Sequence, residues 1–226
     1  MNIRRTQAIV LRRTNYGEAD RIIQLLTPDG KISAMVKGAR REKSRLSGGI
    51  ELFAICDVVI SEGRGELGVI TSARLVKFYK DIMTDYDRMQ FAYLAIKLVA
   101  SASETMNEPE WYEILAEVLD GLGSLQMPLE LIKTWFYLRY SALMGYELSL
   151  DLDIKGEKLL PGRCYRYDFN EKGLVMAENG EITAEHIKLL RLISMKSLKV
   201  LVQIGGIGAI LPVCASVAQG HAAISE

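Results

Sequence analysis

The hydrophobic period of this chain changes once, near residue 80, and that change limits the folds open to it. Over residues 1–80, apolar and β-branched side chains fall in short runs at 7–13, 19–27, 31–36, 51–61 and 67–76. Pro28-Asp29-Gly30 is a strong turn signal, and the glycine-rich stretch at 62–66 separates the last two runs at hairpin spacing. Five short strands, two tight turns and one longer loop suit a small closed barrel.

Beyond Tyr79 the period becomes helical. Thr84 is placed to cap a helix with Asp85 and Asp87 in its first turn, and Met89, Ala92, Tyr93, Ile96, Val99 and Ala100 form one apolar stripe. Asn107-Glu108-Pro109-Glu110 opens a second helix with Trp111, Ile114, Leu115, Val118 and Leu122 facing inward, ended by Gly121 and Gly123. Pro128 starts a third, running to Gly145, with so little polar surface that it reads as the central, buried one. Residues 149–180 lose the period, and 163–169 with 173–177 read as an inserted hairpin. Helix returns at Thr183. The run 200–218 is largely apolar, but Gln203, Gly205, Gly206, Gly208 and Pro212 interrupt it, so two short helices buried in a core explain it better than a membrane span. The expected architecture is α+β with two domains, 1–80 and 81–226, the hairpin insertion lying at about 150–180.

Charge divides at the same place. The chain is neutral overall, with 28 Lys+Arg against 28 Asp+Glu, but residues 1–80 carry a net +7 and the remainder a net −7. Five of those cations, Lys37, Arg40, Arg41, Lys43 and Arg45, fall within nine residues after the third strand-like run. A basic segment hung between strands can track a polyphosphate backbone, since each Lys or Arg that pairs with a phosphate releases a condensed counterion. Arg4, Arg5, Arg12, Arg13, Arg21, Lys31 and Arg64 come from the same eighty residues, and Gly38 gives the backbone room for close approach. Aromatic platforms are few: Tyr16, Phe53, Phe78 and Tyr79. Backbone-dominated binding is therefore favoured over base stacking, with Tyr16 readable either as a stacking ring or as a barrel-core or rim residue.

Residues for catalysis are sparse. Gly63-Arg64-Gly65-Glu66-Leu67-Gly68 spells a dinucleotide fingerprint, yet a strand-like run follows where a helix would have to begin. His186 and His221 have no metal-ligand spacing to Cys, Asp or Glu, and Asp151 with Asp153 reads as a solvated loop pair. Cys56, Cys164 and Cys214 are odd in number and far apart, which suits a reduced, cytoplasmic setting rather than a disulfide framework, and no secretory signal is read at the N-terminus. The expectation is a protein that is not an enzyme.

Ala8-Ile9-Val10-Leu11, Tyr16-Gly17-Glu18-Ala19-Asp20, Leu26-Thr27-Pro28-Asp29-Gly30-Lys31 and Lys37-Gly38-Ala39-Arg40-Arg41 with Ser44-Arg45 closely resemble the N-terminal domain of RecO, a family of bacterial recombination and repair mediators. The resemblance is strongest over residues 5–80. It implies an OB-fold barrel followed by a helical domain, without catalytic residues. It further implies binding of single- and double-stranded DNA, annealing of complementary strands, and contact with the acidic C-terminal tail of single-stranded-DNA-binding protein. Cooperation with RecR in loading the RecA recombinase is implied too, in the cytoplasm at the nucleoid and without a membrane partner. The family's DNA-contacting region maps onto Lys37, Arg40, Arg41 and Arg45, with Lys43 in the same stretch and Lys31, Arg21 and Arg13 as lesser contacts. Arg139, Lys188 and Arg191 are the cations available for an acidic tail. Many relatives carry a four-cysteine zinc site in the helical insertion; here only Cys164 lies at 150–180, so zinc and other cofactors are expected to be absent. The alternative is a protein-interaction adaptor whose helical part carries the function, with little DNA affinity.

Overall fold

The computed structural model describes residues 2–42, 44, 46–62 and 67–223. In chain order its elements are β1 (Asn2–Tyr16), β2 (Asp20–Thr27), β3 (Gly30–Val36), β4 (Ala54–Glu62), β5 (Gly68–Phe78), α1 (Tyr86–Thr105), α2 (Glu110–Leu122), α3 (Leu129–Leu143), β6 (Tyr165–Asp168), β7 (Gly173–Met176), α4 (Ala184–Met195), α5 (Leu198–Leu201) and α6 (Leu211–Ala222). Short 3-10 turns lie at Ser47–Gly49, Lys80–Thr84 and Ile207–Ala209. The chain divides into two compact units, Met1–Gly123 and Ser124–Glu226.

In the first unit the strand order β1-β2-β3-β5-β4 closes into a barrel of the OB type. Neighbours are antiparallel except β3 and β5, which meet in parallel at Ala34↔Gly68 and Met35↔Val69. β1 is much longer than its apolar run because it serves two partners. Asn2↔Glu62 to Ile9↔Ile55 join it to β4, and Ile9↔Leu26 to Tyr16↔Asp20 join it to β2. A register shift between Val10 and Arg12 bends the strand where it passes from one to the other. Val10, Ile23, Leu25, Val36, Val58 and Ile60 are among the side chains that fill the barrel.

Strand gives way to helix between Phe78 and Tyr86, yet the compact unit runs on to Gly123 because α1 and α2 pack against the strands. Asp85, not Thr84, caps α1: its carboxylate accepts the Arg88 N–H at 3.1 Å, while the Thr84 hydroxyl donates back to the Asp81 carbonyl. Arg88 is buried and donates to the carbonyls of Gly121 and Leu122, setting a cation on the C-terminal end of α2. Ala92, Ile96 and Val99 are buried as their spacing predicts. Phe91 takes the core place expected for Tyr93, whose ring stays half exposed and meets Phe53 edge-on with centroids 4.9 Å apart.

The second unit is built around α3, which buries residues on nearly its whole circumference, including Trp135, Phe136 and Tyr137. α6 packs along α3, and α4 touches both. β6 and β7 form the inserted hairpin, with Tyr165↔Met176 to Asp168↔Gly173 in register. The C-terminal apolar run departs from expectation. α6 is a core helix, but much of 200–209, including Val200 and Val202, is exposed. Among the described residues no helix is long and apolar enough to cross a membrane.

The hairpin is pinned to α6 by one buried histidine. His221 Nε2 lies 2.7 Å from the Tyr146 carbonyl and Nδ1 lies 2.9 Å from the Tyr167 hydroxyl. A carbonyl only accepts, so Nε2 carries the proton and Nδ1 accepts from Tyr167. Burial, with the charge of nearby Lys172, holds the imidazole below its ordinary value of 6.5. The unfolded chain thus binds a proton near pH 6.5 that the folded one refuses. Stability from this group is complete above pH 6.5 and is lost as pH falls below it. Denaturant titration should show a midpoint that declines on acidification from pH 7 to 5, with a shallower decline in His221→Gln.

Candidate nucleic-acid interface

The basic segment leaves the barrel at the end of β3 and is fastened there by three kinds of contact. Gly38 adopts φ +65°, a conformation that glycine takes without strain. Its N–H donates to Asp20 Oδ1 at 2.7 Å. Ala39 turns inward and is buried with the barrel core. The Arg40 N–H donates to the Ala19 carbonyl at 2.9 Å, and Arg40 Nη1 donates to the Gly17 carbonyl at 3.3 Å. The tip of the β1–β2 hairpin therefore clasps the root of the basic loop. With Gly38 and Ala39 held inward, Lys37, Arg40 and Arg41 stand exposed around them. Local turns continue the loop, Arg41 N–H to Gly38 and Ser44 N–H to Arg41. Lys43, Arg45 and Arg64, with the glycine-rich match at 63–66, lie outside the described residues.

The other predicted cations divide by their partners. Arg21 is half-buried on β2 and donates through Nε to Asn15 Oδ1 at 3.2 Å, across the same hairpin that holds the loop. Arg13 is tied to Glu51 at 2.8 Å. Lys31 is withdrawn: only 13% of its side chain is exposed, and Nζ bonds Glu104 at 2.6 Å and the Ala100 carbonyl at 3.1 Å. It serves as the fastening between β3 and the last turn of α1, and Glu104 is held below its ordinary carboxylate value by that hydrogen bond. Arg4 approaches Glu62 at 3.8 Å, whereas Arg5 and Arg12 are exposed.

Tyr16 ends β1 on the clasping hairpin and is 53% exposed, so it belongs to the rim and not to the barrel core. Asp20 and Ala39 were quoted in the sequence without a role. Their signal was an acid at the close of Tyr16-Gly17-Glu18-Ala19-Asp20 and a small apolar residue between the cations of Lys37-Gly38-Ala39-Arg40-Arg41. In the second unit, Lys188 pairs with Glu185 at 2.8 Å, Arg191 with Asp151 at 2.9 Å, and Arg139 stacks over the Trp135 ring at 5.5 Å.

Among the described residues no group of three or more His, Cys, Asp or Glu could hold a metal ion. Burial pushes the Cys56 thiol up to about 11 and the Cys214 thiol up to about 12, which leaves both poor nucleophiles at neutral pH.

The clasp makes a local prediction. Asp20→Ala removes the acceptor of the Gly38 N–H and should speed hydrogen exchange at Gly38 and Arg40 by about fivefold, corresponding to the roughly 1 kcal/mol of one hydrogen bond. Asp20→Asn keeps an acceptor oxygen and should stay close to the parent.

Comparison with known proteins finds matches over both parts of the chain. The family model described as "Recombination protein O N terminal" matches residues 1–79, and the one described as "Recombination protein O C terminal" matches residues 83–204. A DNA repair protein RecO of Dehalococcoides mccartyi (strain CBDB1) is 30% identical over 201 residues, 85% of this chain and 79% of the relative. That of Heliobacterium modesticaldum is 34% identical over 196 residues, 77% of this chain and 70% of the relative. One from Bifidobacterium longum (strain DJO10A) is 36% identical over 150 residues, 65% of this chain, and the match spans 62% of that relative's length. Family matches over residues 1–79 and 83–204, on a five-stranded barrel followed by helices, establish that the chain belongs to the recombination protein O (RecO) family.

Proposed function

We propose that this chain is a non-enzymatic mediator of DNA repair and recombination that binds single- and double-stranded DNA through phosphates and anneals complementary strands. The observation that carries the reading is the clasped loop. Lys37, Arg40 and Arg41 stand exposed on a backbone fixed by Asp20, Ala19 and the buried Ala39. Cations on a fixed backbone lose less freedom when a phosphate arrives than cations on a loose one. Lys43 and Arg45 extend the same run in sequence, and Arg21, with Tyr16, borders it on the hairpin. Lys31, committed to Glu104, has no part in it, and Arg13 takes part only by leaving Glu51.

Annealing on such a surface needs no cofactor. Neutralising phosphates reduces the repulsion between two strands, and pairing supplies the free energy. The protein would work in the cytoplasm without metal or nucleotide. With RecR it would help to place RecA on strands covered by single-stranded-DNA-binding protein.

A protein-interaction role for the second unit is favoured by a separate feature. Leu159, Leu160, Pro161 and Ile187 line a small cleft of about 70 Å³ bordered by Lys188 and Arg191. An apolar cleft with two cations at its edge suits the acidic C-terminal tail of single-stranded-DNA-binding protein, whose carboxylates would exchange with Glu185 on Lys188 and Asp151 on Arg191.

Anisotropy of a labelled mixed-sequence single strand across a salt series tests the DNA reading. Replacing Lys37, Arg40 and Arg41 together by Gln should weaken binding to every sequence alike and lower the slope of log K against log salt by about 2, at about 0.7 per phosphate contact. An unchanged slope would remove the loop from the interface.

A further inference from the structure

The second unit carries a larger depression beside the tail cleft, and its chemistry is the reverse. It holds about 500 Å³ between α4 and the segment that follows α3, and Arg191 borders both hollows. Each wall follows from local structure. Burial alternates along 147–151: Leu148 and Leu150 are buried, while Glu147, Ser149 and Asp151 are exposed, so the segment turns its polar side chains one way. Opposite them Arg191, Ser194 and Met195, spaced i, i+3 and i+4 toward the end of α4, share a face. The Ser149 hydroxyl donates to the Leu152 carbonyl and the Ser194 hydroxyl to the Leu190 carbonyl, so neither keeps a proton for a ligand. Asp153 stays out of the depression; its Oδ1 accepts the N–H groups of Lys155 and Glu157. Asp151 is the acid of that sequence pair that turns to the hollow, and 88% of its side chain is exposed.

What faces the depression is therefore mostly acceptor. The one cation lining it, Arg191, is an incomplete occupant: Nη2 reaches both Asp151 Oδ1 at 2.9 Å and the Leu150 carbonyl at 2.6 Å, while Nε is buried with no acceptor. A buried donor left unmet is costly, so this seat of the guanidinium is open to challenge. Carbonyls at the C-terminal end of α4 add partial negative charge. Lys196, the next residue, does not line the hollow. We propose that the depression binds a basic side chain, an arginine or lysine of a partner polypeptide, which takes the Asp151 and Glu147 carboxylates in competition with Arg191. Charge selects this class, since a nucleic acid or an acidic peptide would meet two carboxylates here. A free polyamine would satisfy the acids yet leave the apolar floor of Leu148 and Leu150 bare, along with the Met195 thioether, which is 72% exposed. The aliphatic stem of a basic residue and its neighbours in a peptide cover both. The site rests on neither the DNA reading nor the tail reading.

Titration of the isotope-labelled full chain with acetyl-Leu-Arg-Leu-amide, followed through amide chemical shifts, tests it. Saturating shifts are expected at 147–151 and 191–195, and the affinity should fall with salt. The same peptide with citrulline in place of arginine, neutral and nearly the same shape, should bind about tenfold more weakly. Asp151→Asn should weaken the arginine peptide about tenfold and Glu147→Gln about threefold. Arg191→Gln should tighten it about threefold by removing the competitor, a direction that a merely structural role would not give. Asp151→Asn and Glu147→Gln replace exposed side chains, and an unchanged single-strand affinity in both reports correct folding. No shifts at these residues would overturn the proposal, as would equal binding of the citrulline peptide or of spermidine. Unchanged or weaker binding in Arg191→Gln would overturn the competition on which it stands. Shifts confined to 159–161 and 184–188 would seat the peptide in the tail cleft and overturn it equally.

Discussion

Barrel closure is the constraint on which the rest of the first unit depends. A five-stranded sheet left open would expose a row of unpaired backbone groups on each edge. Here β1 pairs along its first half with β4 and along its second with β2, and a short parallel contact between β3 and β5 seals the remaining gap. Within that barrel the antiparallel pairing of β2 with β3, which reaches Arg21↔Val36, sets the β1–β2 hairpin tip beside the exit of β3, and this is why the hydrogen bonds from Gly38 to Asp20 and from Arg40 to Ala19 are possible at all. The site follows from the topology.

Charge works on the same scaffold in two ways. Cations near acids serve the fold: Lys31 fastens α1 through Glu104, Arg88 closes the end of α2, and Arg74 lies 2.5 Å from Asp57 across β5 and β4. Exposed pairs of this last kind contribute little stability. The cations of the basic loop are arranged differently. Arg40 uses one nitrogen to hold a carbonyl, which fixes its direction without neutralising its charge. A field of fixed positive charges near a rim aromatic is suited to a flexible polyanion whose sequence is not read.

Much of the fold was legible because period and turn chemistry agree locally. The Pro28-Asp29-Gly30 turn, the five runs and the buried stripe of α3 all reappear in the structure. What escaped was set by tertiary pairing. The first residues of β1 are polar apart from an exposed Ile3 and gave no apolar run, yet they are strand because β4 needs a partner. Tyr93 had the spacing of a core residue, but Phe91 is better placed to bury a ring without stranding a hydroxyl. In the site, the cluster of cations was visible as composition. The sequestration of Lys31 was not, because its partner Glu104 is 73 residues away. The exposed stretch after α5 was hidden for the opposite reason: an uncharged apolar run reads as core unless the glycines within it hold it open.

Hydrogen–deuterium exchange of the full chain with and without a mixed-sequence single strand tests the central claim most directly, since it locates the contact without altering a residue. The account predicts added protection at 17–20 and 37–41, where the hairpin tip and the basic loop meet, and none at 186–204. Protection confined to the second unit, with the clasp unchanged, would contradict it.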